Sequence, residues 1–140
     1  MTHHELLRTP LYDCHVEAHG RIVPFAGFEM PVQYVGVMEE HRAIRTAVGL
    51  FDVSHMGEID VTGRRALEFI QHVTCNDASK LTPGRAQYSG LMTRRGTFVD
   101  DLLVHKIDDN HYFLVVNAAN KDADTALLRS RIGDRCMVNP

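Results

Sequence analysis

Between Ala86 and Asn117 three strand-like runs, AQYSGLMT, TFVDDLLVHKI and HYFLVVN, follow one another with only short turns between them. No other feature of the chain limits its fold as tightly. Branched and aromatic residues favour a pleated, half-buried surface, and both joints carry turn chemistry. Gly96 follows Arg94-Arg95 at the first joint, and Asp108-Asp109-Asn110 form the second. Connections this short leave no room for a crossover helix, so successive strands must pair antiparallel. Upstream, GEIDVTG alternates as a further strand, and RRALEFIQHV sets Ala66, Phe69, Ile70 and Val73 on one helical face. Residues 76–86, NDASKLTPGRA, read as a loop turning at Pro83-Gly84. Downstream, KDADTALLRSRI predicts an amphipathic helix with Ala123, Ala126, Leu127 and Ile132 roughly on one side, and the tail CMVNP adds no expected element. From about residue 57 the order strand, helix, three strands, helix predicts an α+β fold, an antiparallel sheet with packed helices.

The first fifty residues complete no such unit. TPLYDCHVEAHG carries helix punctuation, with Thr9 as cap, Pro10 in the first turn and Gly20 as terminator. RIVPFAGFEMPVQY suits short extended pieces broken by a turn, since its prolines exclude a long central strand. VMEEHRAIRTAV places Val37, His41, Ile44 and Val48 at helical spacing, with Gly49 as the stop. The expected division is therefore residues 1–50 as part of an incomplete neighbouring domain and 51–140 as the α+β domain. Phe25, Phe28, Met30, Val37 and Ile44 are expected to expose apolar surface, which favours self-association into a homo-oligomer.

Composition excludes several function classes. A net charge of −3, with only the pairs Arg64-Arg65 and Arg94-Arg95, makes no phosphate-tracking stripe, so nucleic acid is not an expected partner. No apolar run approaches the ~20 residues that span a bilayer, and MTHHELLRTP lacks the apolar core of a signal peptide. A cytoplasmic or organelle-matrix setting follows. Cys14, Cys75 and Cys136 are odd in number and lie outside any CxxC arrangement, which reads as free thiols. The nine histidines, His3 and His4 at the terminus among them, form no HExxH motif, and no metal is expected.

Four stretches can carry chemistry. In TFVDDLLVH a strand period of two puts Phe98, Asp100, Leu102 and Val104 on one face and Val99, Asp101, Leu103 and His105 on the other. The adjacent aspartates thus cannot share a proton with each other. Either both are structural, bonded to backbone, or one is held in a partly dry pocket where it meets a basic nitrogen. FDVSHMGE gathers Asp52, Ser54, His55 and Glu58, but triads draw on residues distant in sequence and no GxSxG elbow is present. FAGFEMPVQY allows a tight turn at Gly27 between two phenylalanines, and in VVNAAN helix capping accounts for at least one of Asn117 and Asn120.

Taken in order, TPLYDCHVEAHGRIVPFAGFEMPVQY, EEHRAIRTAVGLFDVSHMGEIDVTG, NDASKLTPGRAQYSGLMT, GTFVDDLLVHKI and VVNAAN resemble the N-terminal portion of the aminomethyltransferases, the T-proteins of the glycine cleavage system. The likeness runs in register from Thr9 to about Arg131. It implies a three-domain folate-binding fold of which this chain holds the N-terminal part. It implies transfer of a one-carbon unit from the aminomethyl-lipoyl arm of H-protein to tetrahydrofolate, with release of ammonia. By the same resemblance Asp101 is the catalytic carboxylate beside the folate nitrogens. Tyr88 and Asn117 join it in binding folate, and Asp52 and His55 lie near a central channel with no assigned step. Some family members carry tyrosine where this chain has His105. Family enzymes are more than twice this length, so the expectation is a piece inactive alone. Two alternatives stay open: a folate-binding accessory protein or the folate domain of a sarcosine or dimethylglycine dehydrogenase, and an α+β interaction domain whose Asp101 is structural.

Overall fold

The computed structural model describes residues 5–140, and His3 and His4 lie outside the described residues. The chain divides into two compact units, one ending at His55 and the other beginning at Met56.

In the first unit a three-stranded sheet is built from β1 (Leu7–Arg8), β2 (Ile22–Phe25) and β3 (Phe28–Pro31), in the order β1-β3-β2. The β2–β3 hairpin closes on Ala26-Gly27, whose φ angles are 48° and 86°. Positive φ at both central residues is the turn geometry that matches strand twist, and it explains Gly27. Helix α1 (Tyr12–Glu17) is shorter than its punctuation suggests. Thr9 is not its cap: Leu11 takes that position, and Thr9 Oγ1 donates to Asp52 Oδ2 at 2.7 Å. An ionised acceptor makes the stronger bond and wins the hydroxyl. Helix α2 (Val37–Thr46) starts at Gly36, where Glu40 accepts the backbone N–H groups of Tyr34, Val35 and Gly36 at 2.7, 2.9 and 3.0 Å. These bonds from Gly36 and Tyr34 hold the Glu40 carboxyl below its ordinary range.

Asp52 is the tie of this unit. Its side chain is 2% exposed and accepts from Thr9, from His15 Nε2 at 2.9 Å and from the backbone N–H of Ser54 at 2.9 Å. On the other side of the ring, the Tyr34 hydroxyl and His15 Nδ1 share a hydrogen bond of 2.7 Å. Residues 51–55 therefore go with the first unit, and the division falls five residues later than the sequence suggests. Apolar exposure is uneven. Phe25, Val37 and Ile44 are exposed, but Phe28 is half-buried and Met30 is buried, because Met30 points to the interior side of β3.

The second unit is a five-stranded antiparallel sheet of β4 (Gly57–Thr62), β5 (Arg85–Met92), β6 (Phe98–Asp108), β7 (His111–Val116) and β8 (Met137–Asn139), in the order β5-β6-β7-β4-β8. The tail is thus a strand, with Met137–Asn139 paired to Asp60–Thr62. Pairing on the free side of β4 satisfies backbone groups that an open edge would leave to solvent. Helices α3 (Ala66–Val73) and α4 (Lys121–Ile132) accompany the sheet. Ala66, Phe69, Ile70 and Val73 are fully buried and join Ile59, Val61, Leu102, Val104, Tyr112, Leu114 and Val116 in one core. For α4 the inward side is Asp124, Thr125 and Leu128, while Ala123 and Ala126 are exposed and Leu127 and Ile132 are half-buried. Leucine burial and the partner of Asp124 set the helix rotation, and two alanines carry too little apolar area to oppose them.

Burial opposes ionisation of Asp52, but the bonds from His15, Thr9 and Ser54 outweigh it and hold the carboxyl well below the usual range. A depressed carboxylate contributes stability above its unfolded pKa of about 3.9 and loses it as pH falls towards the folded value. Asp52→Asn should therefore destabilise the chain by about 1–3 kcal/mol at neutral pH and flatten the acid limb of stability against pH, measured by thermal unfolding from pH 2.5 to 7. An unchanged acid limb would remove Asp52 from this role.

Candidate functional site

The site begins with the register of β6. Leu102 and Val104 are drawn into the core, so Asp100 follows them on the inner face and Asp101 points outward. The alternation fails at the start of the strand. A register shift opposite Leu91 and Met92 brings Phe98 over Gly90, on the outer face with Asp101. A β-bulge re-aims a side chain in this way, and Phe98 does not share a face with Asp100 as a simple period of two predicts.

The structure brings the three expected residues together. Tyr88, on the neighbouring strand β5, donates its hydroxyl in a short hydrogen bond to Asp101 Oδ2. Asn117, just after β7, uses Nδ2 on three acceptors: it lies 2.9 Å from Asp100 Oδ1, 3.0 Å from Asp101 Oδ1 and 3.3 Å from the Asp101 carbonyl oxygen. Neither Asn117 nor Asn120 makes a side-chain cap bond, so the capping role expected of these asparagines is not used. Nearby carboxylates win the Asn117 amide because a charged acceptor binds it more strongly than backbone does. The bond to Asp101, followed by loss of solvent and the charges of Asp101 and Asp100, pushes the Tyr88 phenol up, so it stays a donor. Burial works against Asp100, yet the bond from Asn117, with the Asp124 and Asn120 side chains close by, holds its carboxyl below the ordinary range.

Beside these groups lies an open cleft of about 630 Å³, lined by Cys75, Asn76, Tyr88, Gly90, Phe98 and Asp101 among others. That volume falls within the range of small-molecule sites, about 300–1,000 Å³. Each Asp101 oxygen uses one lone-pair direction on Tyr88 or Asn117 and keeps another for a ligand N–H. Phe98 supplies an aromatic wall. Sequence reasoning missed Phe98 and Gly90, although an isolated glycine inside a strand signals close approach of another group. A Cβ on Gly90 would collide with the Phe98 ring and stand 3.5 Å from Cys75 Sγ. His105 lies farther along β6, edge-on to Phe113 with ring centroids 6.0 Å apart.

The FDVSH segment forms no serine triad. Asp52 is engaged by His15, Ser54 contributes a backbone N–H, and His55 packs edgewise on Phe25 and Phe28 at 5.7 and 6.1 Å. Among the described residues no three His, Cys, Asp or Glu side chains gather as a metal site, and no helix is long and apolar enough to cross a membrane.

A family model described as the GCVT N-terminal domain matches residues 11–140. The chain is 56% identical over 119 residues to an aminomethyltransferase of Symbiobacterium thermophilum, covering 85% of this chain and 32% of the relative. It is 54% identical over 125 residues to an aminomethyltransferase of Deinococcus deserti, covering 89% of this chain and 35% of the relative. The crystal structure of a glycine cleavage system aminomethyltransferase T from Bartonella henselae superposes with a TM-score of 0.89 at 40% identity, over 96% of this chain and 38% of that one. The chain thus spans about a third of the length of the curated relatives it matches.

Gly90→Ala should displace the exposed Phe98 ring and destabilise the chain by up to about 1 kcal/mol in urea unfolding. Phe98→Ala in the Gly90→Ala background should recover most of that loss. A purely additive double mutant would contradict the contact.

Proposed function

Because the chain belongs to the aminomethyltransferase family of the glycine cleavage T-protein, we propose that it is the N-terminal portion of a tetrahydrofolate-dependent aminomethyltransferase, with Asp101 as its catalytic carboxylate. The observation that carries this reading is the outward Asp101 carboxylate, fixed from both sides by Tyr88 and Asn117 at the mouth of an aromatic-walled cleft. A flat heterocycle bearing N–H donors fits such a place: it stacks on Phe98 and donates to the free lone pairs of Asp101. Tetrahydrofolate, the acceptor substrate, is such a molecule, and Tyr88, Asn117 and Asp101 would hold its pterin side.

The chemistry asked of this chain is modest. In the reaction the carbon exchanges its bonds to the lipoyl sulfur and the amino nitrogen of the aminomethyl-loaded H-protein for bonds to two folate nitrogens. The two protons of those nitrogens end on the lipoyl thiol and the departing ammonia, and one of them leaves a folate N–H beside Asp101. Asp101 orients that N–H, receives the proton and stabilises positive charge developing beside it. Tyr88 and Asn117 keep the carboxylate from turning away, so little reorganisation accompanies the step. We further propose a cytoplasmic setting and no turnover by the 140-residue span alone.

Calorimetric titration of the chain with tetrahydrofolate tests the reading. Asp101→Asn keeps the shape and removes the charge, and should weaken binding by at least about tenfold, or ~1.4 kcal/mol. In a chain extended to the length of its relatives, the same change should lower transfer by about 10²–10⁴-fold with little change in Tm. Binding and transfer that are both unaltered by Asp101→Asn would overturn the assignment.

A further inference from the structure

Behind the site lies a pair of carboxyl groups that the transfer reaction does not use. Asp124, on α4, is 0% exposed, and no N–H or hydroxyl donor reaches either of its oxygens. Asp100 Oδ2 is buried without such a donor as well. The two side chains lie within hydrogen-bonding reach of each other. Asp124 has neither solvent nor a donor and faces the buried, unpartnered Oδ2 of Asp100, so the two carboxylates cannot both keep their charge, whereas one proton between them satisfies both. The surroundings decide which one keeps it. Asp100 is bonded by Asn117 at 2.9 Å, with the Asn120 side chain also in reach, and these donors favour its ionised form. At Asp124 the charged neighbour is Asp100, and no cation from α3, β4 or β8 offsets it among the described residues. Lys121, on the same helix, lies with its aliphatic stem against Gly57.

We propose that Asp124 is a positioning residue: its protonated carboxyl donates to Asp100, Asp100 anchors the Asn117 amide, and Asn117 holds Asp101 in place for the ligand. This rests on the site reading above only in taking Asp101 as the group to be positioned. Each link is a contact between neighbouring side chains. The two N–H groups of the Asn117 amide serve Asp100 Oδ1 on one side and the Asp101 carboxylate and carbonyl on the other, so Asp100 and Asp101 are coupled through a single nitrogen. Loss of the Asp124 proton puts two negative charges face to face in a dry space. Asp100 must then yield, and the Asn117 bridge yields with it.

Burial, then the bond to Asp100 and its charge, push the Asp124 carboxyl up to about 7. The sign follows from linkage. The folded chain keeps a proton that the unfolded chain sheds near its ordinary carboxylate pKa, so this contribution to stability is complete in acid and declines as pH rises towards 7.

A ¹³C-carboxyl and ¹⁵N-amide NMR titration of the 140-residue chain, from pH 4 to 9 without folate, tests the proposal. We expect an inflection in the neutral range at Asp100 and Asp124, reported with the same midpoint by the Asp101 carboxyl and the Asn117 side-chain amide. In Asp124→Asn, whose amide donates to Asp100 without titrating, that inflection should vanish and the Asn117 amide should stay at its low-pH position. Carboxyls that all titrate below about pH 5 would overturn the proposal. So would a neutral inflection at Asp100 and Asp124 that leaves Asn117 and Asp101 unmoved. The wild-type titration decides between these outcomes even if the variant fails to fold. Since no folate is present, a negative result counts against positioning and leaves the folate-binding experiment independent.

Discussion

The register of β6 is the constraint on which the site depends. Leu102 and Val104 enter a closed core, and a one-residue slip would exchange every side chain on the strand between core and solvent. With those two leucine and valine positions fixed, Asp100 has to point inward and Asp101 outward. An inward carboxylate needs partners: it takes the Asn117 amide and lies beside the buried Asp124 carboxyl. An outward one is free to act, but only if something limits its rotation, which Tyr88 and Asn117 do. The single bulge near Phe98 then places an aromatic ring beside it, and Gly90 leaves room for that ring. Packing energy spent on the core thus orients the chemistry outside it.

The first unit uses a different economy. It has a three-stranded sheet, two short helices and few buried apolar groups, Met30 being the buried apolar residue among those described. A network of Thr9, His15, Tyr34 and Asp52 supplies cohesion where apolar area is short. Such a network is directional, and each member lost leaves another buried polar atom unpaired. It also accounts for the polar character of FDVSH, whose Asp52 serves structure rather than a serine nucleophile.

The antiparallel meander, the helix at Ala66–Val73 and the split of the two aspartates were legible in the sequence. Period-two alternation and turn residues are local signals, and β6 obeys them over most of its length. What local signals do not carry is a partner far along the chain. Thr9 was read as a cap because nothing nearby announces Asp52, forty-three residues on. The tail at Met137–Asn139 shows its strand only when β4 is beside it. Nor do local signals carry the buried face of α4, because Asp124 looks like a solvent residue until Asp100 is opposite. The roles of Tyr88, Asn117 and Asp101 came from resemblance, and residue patterns alone left Asp101 open between chemistry and structure. Gly90 was the one overlooked local clue, a glycine inside a strand that had a reason to be there.

The central claim is that Asp101 is the group this scaffold presents to a folate. The most direct measurement is a crystal structure of the chain soaked with tetrahydrofolate or a stable reduced analogue. A pterin is expected in the cleft, stacked on Phe98, with a ring nitrogen within hydrogen-bonding distance of the Asp101 carboxylate and the Tyr88 and Asn117 bonds retained. A pterin bound elsewhere on the chain, with Asp101 making no contact to it, would contradict the claim.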